Sequence, residues 1–144
     1  MKLFRFRLQS ILRLREAAQE KALEQYGLSV RQRKAAEEHL RLKEAKIVEI
    51  EGAIRDTRSF LFDPQTQMAY SYGLIGAQAD SDLAQAQVLQ AKQEEQKAFN
   101  AFLEKKKEVD VFEKLRKRQV AEHFQESIKS EQKEAEDTFN ARRK

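Results

Sequence analysis

Apolar residues recur every seven positions in the first half of the chain, at Leu40, Ile47, Ile54 and Leu61, with Ala36 and Ile50 at intermediate positions. Such a repeat marks helices that share an apolar seam with a partner helix. Upstream, Ala22, Leu23, Tyr26 and Val30 continue the stripe more loosely. Lys43 and Thr57 stand where further apolar residues are expected and weaken the seam locally. Glu37, Glu38, Glu44 and Glu51 lie among basic neighbours, where helical pairs contribute about 0.2–0.5 kcal/mol each. In the second half, Ala77, Ala79, Leu83, Ala84, Ala86, Val88 and Leu89 form a small-residue section that permits close helix approach. A bulkier run follows: Phe99, Phe102, Leu103, Val109, Phe112, Leu115, Val120, Phe124 and Ile128. Strand signals are absent.

The stretch from Ser59 to Gly76 divides these two patterns. It holds the sole proline, Pro64, and two of the four glycines, Gly73 and Gly76. Proline has no amide hydrogen to give a helix interior, so a helix reaching Pro64 should end there. Asp63 as N-cap and Pro64 at the first helical position suit a restart. The pattern predicts an all-α protein, a long antiparallel two-helix coiled coil that forms one elongated hairpin over residues 1–144. Arm one is expected over about 8–61, the tip over about 59–78 and arm two over about 79–141. The two glycines leave the start of the return helix anywhere between Pro64 and Asp80. Leu8, Ile11 and Leu12 share a helical face, with Leu3, Phe4 and Phe6 leading in and Ser10 a candidate cap. Antiparallel pairing should bring Phe99, Phe102 and Leu103 near Val30, Tyr26 and Leu23, and set the chain ends side by side. At about 1.5 Å per residue each arm would run roughly 80–100 Å.

Composition supports this picture. Of 144 residues, 36% are charged and 8% aromatic, a balance typical of long helices. There is no cysteine, which excludes disulfides, thiolate metal sites and cysteine nucleophiles. No run approaches the roughly 18 apolar residues of a membrane span. The basic start, Met1 to Leu8, lacks the apolar core and cleavage site of a signal peptide. A cytoplasmic bacterial protein is therefore expected. The net charge of +4 says less than its distribution. Lys2, Arg5, Arg7, Arg13 and Arg15 precede the first acid, Glu16. Near the other terminus lie Lys114, Arg116, Lys117 and Arg118, then Arg142, Arg143 and Lys144. Both termini should thus gather positive charge at one end of the hairpin, opposite an apolar end that contains glycine.

Candidate chemistry is sparse. His39 and His123 fall in opposite arms, each beside glutamates; a metal site needs three or four converging ligands, so both read as solvated helix residues. No glycine-rich phosphate loop is present, and a two-helix hairpin offers no water-excluding cleft. The chain reads as neither an enzyme nor a cofactor or metal binder. The basic cluster could meet nucleic acid, but Glu113, Glu122, Glu126 and Glu131 are interleaved and stacking aromatics are missing, so it reads as a solvated charged face. The amphipathic segment Met1–Arg15 reads as packing on a partner protein in preference to a membrane surface. Phe60, Phe62, Met68, Tyr70, Tyr72, Leu74 and Ile75 are too dense for a tip to bury and read as a docking patch.

The segment Phe4-Arg-Phe-Arg-Leu-Gln-Ser-Ile-Leu-Arg-Leu-Arg-Glu16 entering a long helix resembles the start of flagellar FliJ proteins. Leu115-Arg-Lys-Arg-Gln119 followed by Glu131-Gln-Lys-Glu-Ala-Glu-Asp137 resembles their C-terminal helix, and the resemblance spans the whole chain. It implies a non-enzymatic antiparallel coiled coil in the type III export apparatus, similar to the central stalk of rotary ATP synthases. Its paired ends would enter the hexameric ring of the export ATPase FliI, and its other region would dock on the cytoplasmic domain of the export gate protein FlhA. A chaperone role in flagellum biogenesis and motility, with export chaperones as further partners, is also implied. So is a peripheral place at the cytoplasmic face of the inner membrane. Carried onto this chain, the ATPase-side residues are Arg13, Arg15, Arg116, Arg118, Gln119, Gln132, Lys133 and Asp137. The gate-side residues are Tyr72, Leu74, Ile75, Ala79 and Leu83, although the glycines among them depart from the family pattern. The stalk of a virulence type III secretion system, or a coiled-coil escort chaperone without ATPase contact, remains the alternative reading.

Overall fold

In the computed structural model, the described residues are 3–60 and 62–143. The expected seam residue Leu61 lies outside them, as do Lys2 and Lys144. Two helices account for nearly all the rest: α1, Gln9–Phe60, and α2, Pro64–Arg143. They pack against each other as a hairpin, and no strand occurs among the described residues.

The start of α2 follows from three residues. Pro64 takes the first helical position, where its missing N–H costs nothing. Asp63 caps it: its Oδ1 accepts from the Gln65 amide at 3.3 Å and its Oδ2 from the Thr66 hydroxyl at 2.7 Å. The Asp63 carbonyl accepts the Gln67 amide at 3.0 Å. The return helix therefore starts at Pro64, well before the end of the expected 59–78 tip, and runs through Gly73 and Gly76 without a break. Neither glycine has a positive φ. Each costs about 1 kcal/mol relative to alanine in a helix, and the Ala, Gln and Leu around them outweigh that. At the other terminus α1 begins at Gln9, so Ser10 lies inside the first turn; the Leu8 carbonyl accepts the first helical bond, from Leu12, at 2.8 Å.

The chain divides into two compact units, and both helices pass through both. One unit, Leu23–Asn100, holds the reversal. Its α1 face presents Leu40, Ile47, Ile50 and Ile54, all half-buried. Its α2 face presents the buried Ala77, Ser81, Ala84 and Val88. Large side chains from one helix thus meet small ones from the other, which is how facing helices fill a seam. The rings of Tyr26 and Phe99 lie 5.3 Å apart, confirming the expected antiparallel register. Near the reversal the buried Gln67 donates to the Thr57 hydroxyl at 2.7 Å and accepts from the Arg58 guanidinium at 3.2 Å. Thr57, an apparent gap in the apolar stripe, is therefore a seam residue with a polar partner.

The other unit joins the residues up to Ala22 to those from Ala101 onward. Phe6, Leu12 and Val109 form its buried cluster, flanked by Phe4, Leu8, Phe112 and Leu115. Residues 3–6 are not helical, and burial alternates along them and into the turn at 7–8: Phe4, Phe6 and Leu8 turn inward, Arg5 and Arg7 outward. This short strap covers α2 where α1 has already ended. Among the described residues no part of α1 lies opposite the last stretch of α2, and Val120, Phe124 and Ile128 are exposed, contrary to their expected place in the seam.

Leu12 is 1% exposed whereas Leu14, one helical step away on the other face, is 70% exposed. Leu12→Ala should therefore lose about 2–5 kcal/mol in urea unfolding followed by circular dichroism. Leu14→Ala should stay within about 0.5 kcal/mol of the parent.

Candidate functional surfaces

The ATPase-side residues all fall in the unit built around Phe6, Leu12 and Val109. Arg13 is exposed on α1. Arg15 reaches across the seam to Glu108, its Nη1 2.9 Å from the carboxylate, and Lys105 stands 3.8 Å from the same oxygen. Arg116 and Arg118 are exposed on α2, with Arg118 3.9 Å from Glu122 one turn ahead. Gln119 differs: it is half-buried on the seam side of α2. Gln132, Lys133 and Asp137 are exposed on the stretch of α2 that has no helix opposite it, and Phe139 beside them is 64% exposed. Among the described residues no hydrogen bond or ion pair joins any two of these eight. They form an accessible basic surface continued by a solitary helix, not a preassembled pocket.

Two features here were missed by periodicity. His123 is half-buried, its ring 5.6 Å from that of Phe4, so it is not the solvated helix residue expected. His39 is exposed, as expected. The strap was also missed; its signal was the two-residue alternation Phe4, Phe6, Leu8, which is the period of an extended chain.

The gate-side residues lie in the unit that contains the reversal. Tyr72, Ile75, Ala79 and Leu83 are exposed and follow the three- and four-residue steps of one helical face. Met68 extends that face toward Pro64. Leu74 does not share it, being half-buried toward α1 with Ala77 and Ser81. Phe60 and Phe62, either side of the reversal, are exposed too. Of the apolar patch expected at the reversal, Phe60, Phe62, Met68, Tyr72 and Ile75 are exposed, whereas Tyr70 and Leu74 are half-buried.

Between these surfaces in sequence sits a charged notch lined by Tyr26, Arg33, Glu37, Lys92, Glu95 and Phe99. Arg33 pairs with Glu95 across the seam and with Glu37 one turn on at 3.0 Å. Hydrogen bonds to Glu95 and then to Glu37 hold its guanidinium above the ordinary arginine range. The notch opens to solvent, and Arg33, Glu37 and Glu95 satisfy one another there, which suits a structural role.

The profile of the family described as "Flagellar FliJ protein" matches residues 4–143. Comparison with curated proteins and with solved structures returned no match.

Because Gln132, Lys133 and Asp137 are exposed and, among the described residues, make no side-chain hydrogen bond or ion pair, replacing all three by alanine should leave the thermal midpoint unchanged within about 2 °C. Glu95→Ala, by contrast, strips Arg33 of its partner across the seam and should lower the midpoint measurably in the same melt.

Proposed function

The chain belongs to the FliJ family and is a component of the flagellar export apparatus; from that premise we propose that it is a non-enzymatic stalk between the export ATPase FliI and the gate protein FlhA. The observation that carries this reading is the solitary end of α2. Past His123 every described side chain except the half-buried Ser127 is exposed, and the charged ones stay accessible. A lone helix is about 10–12 Å across, so it can thread an opening too narrow for a helix pair. Arg13, Arg116 and Arg118 behind it supply positive charge to steer and seat the pair at an acidic ring mouth. Binding there would bias the ATPase subunits only through contacts that differ between their states.

The face with Tyr72, Ile75, Ala79 and Leu83 is the proposed gate contact, and Leu74 leaves that set because it packs toward α1. Among the described residues no helix is long and apolar enough to cross a membrane, so attachment at the flagellar base would come through these partners. A role as an export chaperone would use the exposed faces of the same helices.

ATP hydrolysis by the cognate ATPase at low salt, with and without this protein, tests the stalk reading. Stimulation and co-sedimentation are expected, and Arg116→Glu with Arg118→Glu should weaken both about tenfold. Ile75→Ala or Tyr72→Ala should leave them intact and reduce capture of the gate's cytoplasmic domain. Unchanged hydrolysis without co-sedimentation would sink the stalk, and identical behaviour of both variant classes would sink its two-ended form.

A further inference from the structure

Gly27, Gly52, Gly73 and Gly76 are the four glycines of the chain. None has a positive φ, and a Cβ built on any of them would meet no atom within 4 Å. Neither a turn nor a close approach therefore calls for them, and each weakens the helix that carries it. Their placement is uneven. The cross-seam pair of Thr57 with Gln67 fixes the local register, and Gly52 lies five residues before the one and Gly73 six after the other. One glycine in each helix thus falls at the same level, and Gly76 follows one turn on in α2. Gly27, by contrast, stands level with Ala98, as the neighbouring contact of Tyr26 with Phe99 places it, and has no glycine opposite.

The segment on the bend side of this level is tied together as one body. Asp63 caps α2, and Gln67 donates to the Thr57 hydroxyl at 2.7 Å and accepts from Arg58 at 3.2 Å. The Thr57 hydroxyl in turn donates to the Ala53 carbonyl at 2.7 Å, so this chain of hydrogen bonds ends one residue short of Gly52. Bonding of a threonine back to the carbonyl one turn behind it also favours a bend in the helix. Away from the bend, the next polar link across the seam is Arg33 with Glu95. Among the described residues no hydrogen bond or ion pair joins the helices between those two links. What remains at the glycine level is apolar: Ile50 and Ile54 on α1 with Leu74 and Ala77 on α2, all at least half-buried. Apolar contact has no preferred direction, so it tolerates a change of angle that a hydrogen bond resists.

We propose that Gly52 and Gly73 form a matched hinge through both helices, about which residues 53–72 swing as one body against the remainder of their unit. Helix kinks fall at a few residue types, glycine among them. Where only one of two packed helices carries such a point, the other acts as a splint; here both carry it at one level. Phe60, Phe62 and Met68 ride on the moving segment, whereas Ile75 and Leu83 stay behind. Bending therefore changes the angle between two parts of the exposed apolar surface. The hinge goes beyond the gate contact proposed above and does not depend on it.

The chain has no cysteine, so two engineered ones can carry a pair of spin labels. Labels on the exposed positions of Glu44→Cys and Gln65→Cys bracket the hinge, and those of Gln25→Cys and Glu44→Cys bracket the unmatched Gly27. Double electron–electron resonance on the full chain should give a distance distribution about twofold broader across the hinge than across Gly27. Gly52→Ala combined with Gly73→Ala should narrow it to the width seen across Gly27, and Gly27→Ala should leave it as in the parent. Each alanine has room, so the melting temperature should rise in all of these variants. Equal widths across the hinge and across Gly27 in the parent would overturn the proposal. So would a broad distribution that survives both alanines.

Discussion

The reversal between Phe60 and Pro64 sets the register of the unit that contains it. Once Asp63 closes the first turn of α2, each residue of one helix has a fixed opposite number on the other, and the chain cannot slip without breaking the cap. Thr57 with Gln67, Arg33 with Glu95, and Tyr26 with Phe99 are successive readings of that register. The other unit has a cross-seam pair of its own, Arg15 with Glu108. A hairpin of this kind has little apolar volume to specify its alignment. Local turn chemistry therefore matters more here than in a thick core.

Polar residues in the seam reinforce that alignment. Arg33, Lys43 and Thr57 occupy positions where the heptad expects apolar side chains, and Gln67, Ser81 and Glu95 do the same on α2. Replacing a charged pair by apolar residues of similar size often costs nothing or adds stability, so such pairs are better explained by specificity. Glu95 accepts from Arg33 in one alignment only. A one-heptad slip would put Val88 or Phe102 opposite the guanidinium, leaving Glu95 without its partner and Arg33 with only Glu37 of its own helix. The same logic underlies single polar positions that fix coiled-coil register. That register sets the large Leu40 and Ile47 against the small Ala84 and Ala77, which adds a steric preference to the electrostatic one.

Much of this was legible from residue order. The seven-residue repeat of Leu40, Ile47 and Ile54 and the pair Asp63-Pro64 led directly to the two helices and the point between them. The glycines misled: Gly73 and Gly76 suggested a wide tip, but turn residues act only where the backbone needs them, and the helix formers around them prevailed. The bulky run was read too far, because a helical stripe at Val120, Phe124 and Ile128 says nothing about whether a partner helix is long enough to cover it. The alternation at Phe4, Phe6 and Leu8 was too short to stand out beside a long helical pattern. The candidate surfaces were found mainly by family resemblance; structure then removed Leu74 from the exposed face and turned Gln119 toward the seam.

The contacts of this protein are nested, and that orders its assembly in time. Gln67 finds Thr57 ten residues away, whereas Arg33 and Glu95 are separated by 62 residues and Arg15 and Glu108 by 93. Closing a longer loop costs more chain entropy, so pairing grows outward from the bend like a zip. Phe6 and Leu12 are then among the last residues to settle. They must wait for Val109 to emerge, and throughout that interval their apolar side chains stay open to water.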